Sequence, residues 1–262
     1  MDISTRDTPE LRARLHRSMF PRASACDPAL ALGGMMGPNA LWLTEWASQA
    51  LDLRPGQQVL DLGCGKAASS IFLAREFGVE VTAADLWISA EANLRRITSA
   101  GVQSLVFPVQ AEAHALPFTK AKFDTVISLD AYHYFGTDDL YLGHICKILK
   151  PGGQIAIVVP CRLDEGVEVP AHLTPYWDWQ FCSFHSPAWW RTHWQKTGLI
   201  EVVCADALAD GWLYWAEWCE LCDELARVTK PELDSGREAE MLRVDAGRTF
   251  GFARMVGTKP MT

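Results

Sequence analysis

Short apolar runs alternate with amphipathic stretches through the middle of the chain, and glycine or proline marks most changeovers. Val59–Leu62 has the apolar density of a strand buried on both faces, and Lys66–Ala74 reads as the helix after it. Val79–Ala84, ending at Asp85, predicts a second strand, with a helix over Trp87–Thr98. Ser104–Gln110 supplies a third strand, and the β-branched run Phe123–Asp130 a fourth. Tyr141–Leu149 predicts a helix closed by Lys150-Pro151-Gly152-Gly153, and Gln154–Pro160 a fifth strand. Beyond it come a helix capped by Ser186, a strand over Leu199–Cys204 and a helix over Trp212–Leu225. A polar stretch over Pro231–Glu240 and a last strand over Phe250–Val256 complete the count. Strands alternating with helices predict an α/β, doubly wound, mostly parallel sheet.

The two flanks are less regular. Leu11–Met19 fits a short helix, while Pro28 and the run Gly33–Asn39 mark irregular chain. Asn39 can cap a helix through Leu41, Trp42, Leu43, Trp46 and Leu51. Residues 161–186 form a long aromatic-rich insertion after the fifth strand, of the kind that often serves as a lid.

Candidate chemistry concentrates at Gly63-Cys64-Gly65, between the first strand and its helix. Glycines there let backbone N–H groups approach a ligand, and the helix N-terminus favours an anion. A phosphate-binding loop would need four residues before its Gly-Lys-Ser/Thr, and this spacing fails. A dinucleotide loop would need a third glycine three residues after Gly65, and none stands there. Asp85, about twenty residues on at a strand end, suits two ribose hydroxyls. It also suits a helix N-cap.

Val59-Leu60-Asp61-Leu62-Gly63-Cys64-Gly65 resembles the first motif of class I S-adenosylmethionine-dependent methyltransferases. Ala111-Glu112-Ala113-His114-Ala115-Leu116-Pro117-Phe118 and Leu149-Lys150-Pro151-Gly152-Gly153 resemble two later segments of that family, in its order. The likeness covers roughly Leu51 to Pro160, and Ala67 stands where the family commonly has a third glycine. It implies a Rossmann-like methyltransferase fold: a seven-stranded, mostly parallel sheet with an antiparallel edge strand, N-terminal helices and an insertion after strand five. Residues 1–50 would then be a helical segment and lid, and 51–262 one cofactor-binding domain with an acceptor-pocket insertion at 161–186. The resemblance places S-adenosyl-L-methionine, with S-adenosyl-L-homocysteine as product, against Asp61, Gly63, Cys64, Gly65, Asp85, Leu86, Ala111, Glu112, Ala113, Leu129 and Asp130. Glu112 would take the adenine amino group and Asp130 the methionine end.

Chemistry in a doubly wound sheet is expected just beyond strand carboxyl ends, where the fourth strand delivers Tyr132-His133-Tyr134. His133 is the candidate base, with Tyr132 or Tyr134 orienting the acceptor. The aromatic-rich second half suits a small aromatic or amine-bearing acceptor. Rival readings are a methyltransferase acting on protein or nucleic acid, a nicotinamide-dependent oxidoreductase, and a non-catalytic nucleotide-binding scaffold.

Composition narrows the partners. A chain of 262 residues with net charge −8 fits one α/β domain and lacks the basic excess that nucleic-acid binding uses. No secretory leader or apolar span is visible, so a cytoplasmic protein without a membrane partner is expected. Nothing in the pattern indicates an oligomer. Among the eight cysteines, Cys219 and Cys222 have ligand-like spacing but no second pair, so helix packing is expected and no metal site.

Overall fold

The computed structural model describes residues 7–166, 168–229 and 236–261. Four short helices come first: α1 (Pro9–Leu15), α2 (Pro21–Ala25), α3 (Pro28–Gly33) and α4 (Ala40–Ser48). The alternating body follows as β1 (Gln58–Leu62), α5 (Ala68–Phe77), β2 (Glu80–Asp85), α6 (Ala90–Ser99), β3 (Val106–Gln110), β4 (Phe123–Leu129), α7 (Tyr141–Ile148) and β5 (Leu149–Arg162). Then come α8 (Pro187–Gln195), β6 (Glu201–Ala207), α9 (Gly211–Thr229), α10 (Arg237–Asp245) and β7 (Phe250–Thr258).

The seven strands form one sheet in the order β3-β2-β1-β4-β5-β7-β6. β1 pairs in parallel with β2 and β4, Val59 standing opposite Val81 and Thr125. The expected antiparallel strand is β7, seated one place in from the edge, between β5 and the outermost β6. The order reverses at β1, so the loops after β1 and β4 part there and leave the crevice in which α/β folds bind ligands.

Each face of the sheet carries one apolar cluster. Phe72, Ile127, Trp215 and Phe252 belong to the first, and Tyr132, Tyr141, Trp190 and Trp194 to the second. Helix α4 is buried at every position from Leu41 to Ser48, with Trp42 edge-on to Trp218 at 6.0 Å. Asn39 Oδ1 accepts from the Leu41 and Trp42 N–H groups at 3.0 and 3.3 Å, which starts α4 directly after the glycine-rich run. Trp42 Nε1 donates to the Leu15 carbonyl at 3.2 Å, tying α4 back to α1.

Three segments carry more helix than their patterns predict, the first being Pro28–Gly33, where irregular chain is expected. Of the polar stretch Pro231–Glu240, residues 230–235 lie outside the described residues, but the chain is helical from Arg237 to Asp245. Ala239, Met241 and Leu242 are its buried stripe, too short to stand out among acidic neighbours. The insertion after β5 contains 3-10 turns at Ala171–Leu173 and Trp179–Ser183. No helix among the described residues is long and apolar enough to cross a membrane.

Candidate functional site

A cavity of about 220 Å³ opens beyond the carboxyl ends of β1, β2 and β4. Its floor is the loop after β1. Gly63 turns there with φ 77°, and a Cβ on it would lie 2.4 Å from the Ala131 Cβ, so no side chain fits between this loop and β4. The Gly63 and Cys64 N–H groups both donate to the Ala84 carbonyl, at 2.8 and 3.1 Å, which pins the loop to β2. Ala67 precedes α5 in the left-handed region, φ 62° and ψ 22°, a conformation that disfavours any Cβ. No side chain caps α5, so its first-turn N–H groups remain for a ligand.

Asp61 does not line this cavity. It lies fully buried beneath the loop, where its Oδ2 accepts from the Ser69 and Ser70 hydroxyls at 2.6 Å each. Burial pushes its carboxyl up to about 6, against the opposing pull of those two hydroxyls. Its position joins β1 to the first turn of α5, making it a positioning residue for the loop.

Asp85 ends β2 at the cavity wall. Its Oδ2 accepts from the Gly65 N–H at 2.8 Å, and its Oδ1 from the Trp87 and Ile88 N–H groups at 2.8 Å each. One carboxylate therefore holds the glycine loop and the following turn together. The α6 N-cap is instead Ser89, whose hydroxyl accepts from the Ala92 N–H at 3.2 Å. Glu112 also lines the cavity, with its side chain folded onto the turn it begins: it accepts from the His114 N–H and meets His114 Nδ1, both at 2.9 Å. The bond with the His114 side chain holds its carboxyl below the usual range.

The roof comes from the segment before α4, with Met36, Gly37 and Pro38 facing the cavity. Lys66 Nζ donates to the Met35 carbonyl at 2.8 Å and ties roof to floor. Across from Gly37, Asp130 follows β4 with φ 51°, and its carboxylate makes no side-chain hydrogen bond among the described residues. Burial, and secondarily the charge of Glu238, pushes that carboxyl up to about 8. Such a group gains most from a cationic partner.

The next three residues diverge. Tyr134 is more than half exposed at the rim, edge-on to Trp87 at 6.1 Å. His133 is 2% exposed and packs on Tyr134 and Phe184 with its Nδ1 unpaired; burial lowers its pKa to about 4. It lines a second, more open cavity with Trp177, Phe181 and Glu238, and Tyr134 borders both cavities. Tyr132 is turned the other way, fully buried between Tyr141, Trp190 and Trp194 in the core. The fold does not bring it to either cavity.

Residues 59–153 match a protein-family model described as a methyltransferase domain. The chain is similar to a methyltransferase domain over those residues. It is 30% identical over 155 residues to methyltransferase GfsG of Streptomyces halstedii, covering 58% of this chain and 53% of that protein. It is 32% identical over 192 residues to erythromycin 3''-O-methyltransferase of Saccharopolyspora erythraea, covering 66% and 61%. These matches span little more than half the length of either relative. Among solved structures, phosphoethanolamine N-methyltransferase 2 of Haemonchus contortus superposes with a TM-score of 0.69 at 18% identity, over 97% of this chain and 61% of that one. At that identity the likeness is one of fold.

Apart from Asp61, every cofactor residue named from the sequence lines the first cavity. Sequence reasoning passed over Trp87 and Phe135, which line the same cavity, and Glu238 in the second. Trp87 carried a usable signal, a large aromatic directly after the strand-end carboxylate. Glu238 carried none, because only the packing of α10 brings it here.

Proposed function

We propose that this protein transfers the methyl group of S-adenosylmethionine to a small organic acceptor, leaving S-adenosylhomocysteine. One observation carries the reading: the donor set of the first cavity matches the parts of that cofactor. Asp85 offers carboxylate oxygens to ribose hydroxyls, and Leu86, Ala111 and Ala113 give an apolar seat for adenine, with Glu112 at its edge. Asp130 offers an unpaired carboxylate to an ammonium group, and the uncapped α5 N-terminus suits a carboxylate. When bound, the cofactor supplies an electrophilic methyl group on a sulfonium.

The rest of the work falls to the protein: aligning the acceptor and excluding water. His133, neutral at physiological pH, would hold an acceptor N–H or O–H, and Tyr134 would orient it from the rim. The N-terminal segment would act as the lid, and the insertion at 161–186 would wall the acceptor space. The name of one relative, erythromycin 3''-O-methyltransferase, supports a small organic acceptor. Eight free cysteines support a cytoplasmic setting.

Calorimetry with S-adenosylmethionine, S-adenosylhomocysteine and NAD as control tests the reading. Binding of both adenosyl ligands and not NAD is expected. Well-folded protein that binds neither, or NAD alone, would overturn it.

A further inference from the structure

We infer that Glu238 is the acceptor-binding carboxylate of this domain, and that the acceptor carries a basic amine on an apolar, ring-sized body. The inference rests on the methyl-transfer reading and adds the acceptor's class to it.

The second cavity has aromatic walls, among them Trp177, Phe181 and Phe184, and Glu238 projects into it from α10. Among the described residues the Cys219 thiol donates weakly to it at 3.5 Å, and the Trp215 indole N–H reaches toward it. Arg237 and Asp178 line the cavity as well. Arg237 donates to the Pro175 carbonyl, and Asp178 Oδ1 accepts from the Gln180 N–H at 2.9 Å. Glu238 stands exposed to this cavity, with no ion pair among the described residues. His133, 2% exposed, lines the same cavity. Asp130 adds a second carboxylate on the cofactor side, close enough for the Glu238 charge to be felt there.

An ammonium group answers all of these at once. It offsets the carboxylate, supplies donors, and is favoured over aromatic faces. An alcohol brings no charge, and a carboxylate is repelled at the Glu238 position. In the reaction the ammonium gives a proton to Glu238. The freed nitrogen lone pair forms the N–C bond as the C–S bond breaks, its electrons returning to sulfur, so the products are a methylated ammonium and a neutral thioether.

The test uses the full chain saturated with S-adenosylhomocysteine and three matched probes: phenethylamine, 2-phenylethanol and phenylacetate. Calorimetry should show the amine binding at least about tenfold tighter than the other two. Glu238→Gln should erase that preference, weakening the amine by about ten- to a hundredfold, while Glu238→Asp keeps part of it. All three proteins should still be saturable with S-adenosylhomocysteine. An amine that binds no better than the alcohol, or a preference that survives in Glu238→Gln, overturns the assignment. Failure to bind S-adenosylhomocysteine at all would instead overturn the methyl-transfer reading.

Discussion

Gly37 and the carboxylate of Asp130 face each other across the first cavity so closely that a Cβ on Gly37 would fall 2.2 Å from Oδ2. Gly37 belongs to the roof before α4, and Asp130 follows β4 in a left-handed backbone conformation, φ 51°. Strain of that kind costs about 1–3 kcal/mol and persists where surrounding structure enforces it. Here it aims an otherwise unpaired carboxylate at the cavity. The Gly37→Ala change would push that carboxylate aside without forcing its own backbone. We expect affinity for S-adenosylhomocysteine to fall roughly tenfold, with melting lowered by only a few degrees, on the order of 1 kcal/mol. Calorimetry beside thermal unfolding checks this, and unchanged affinity would remove Asp130 from the cofactor site.

Asp85 accepts three backbone N–H groups through two oxygens, so its replacement by asparagine should be more than conservative. Whichever way the amide sits, an NH2 group meets at least one of those donors. Leaving a buried donor unmet costs about 1–3 kcal/mol, and here the loss falls on the glycine loop itself. Asp85→Asn should therefore lose stability and bind S-adenosylhomocysteine at least about tenfold more weakly. Ser89→Ala is the control. It removes the α6 cap at about 1 kcal/mol and should leave binding untouched. Urea unfolding and calorimetry on the two variants separate these outcomes.

The strands, the Gly63–Gly65 turn and the placement of Asp85 were legible because each depends on a local pattern: an apolar run, a residue without a Cβ, an acidic residue closing a strand. Ala67 was harder. Only the backbone shows that it holds a left-handed conformation which glycine would adopt more easily. Tyr132, His133 and Tyr134 show where local pattern runs out. They share a 3-10 turn, yet Tyr132 enters one core while His133 and Tyr134 face the cavities. Packing against Gly136 and Trp190 decides that division, and both lie outside the motif. Glu238 lies more than a hundred residues from the strand end it faces, so no spacing rule reaches it.

Tyr132→Phe should separate core from site. The Tyr132 hydroxyl is buried, and neither it nor the Trp194 indole N–H that reaches toward it makes a hydrogen bond of normal geometry. Removing an unpaired buried hydroxyl relieves a desolvation cost, so stability should hold or rise by about 1 kcal/mol. Methyl transfer to any accepted substrate should continue at the wild-type rate. A rate loss beyond about tenfold, with folding intact, would return Tyr132 to the list of functional residues.

His133 and Asp61 make opposite contributions to the pH dependence of stability. Burial holds the folded His133 pKa near 4, below its usual 6.5, so the unfolded chain binds that proton more readily. Its contribution is full above about pH 6.5 and is lost as pH falls towards 4, at most about 3 kcal/mol in all. Asp61 is raised from 3.8 to about 6, so its contribution is full below 3.8 and is lost as pH rises through 6. Across the window from about pH 4 to 6 the two partly cancel in the wild type. His133→Phe should then lose less stability on acidification than wild type, and Asp61→Asn less on return to neutrality. Urea unfolding at several pH values reads both slopes directly. Because the His133 ring stays neutral above about pH 5, methyl transfer should show no ionisation step near 6.5 from this residue. A step there that His133→Phe abolishes would mean that ligand binding restores the imidazolium, and would make this histidine a proton carrier in place of a neutral hydrogen-bonding group.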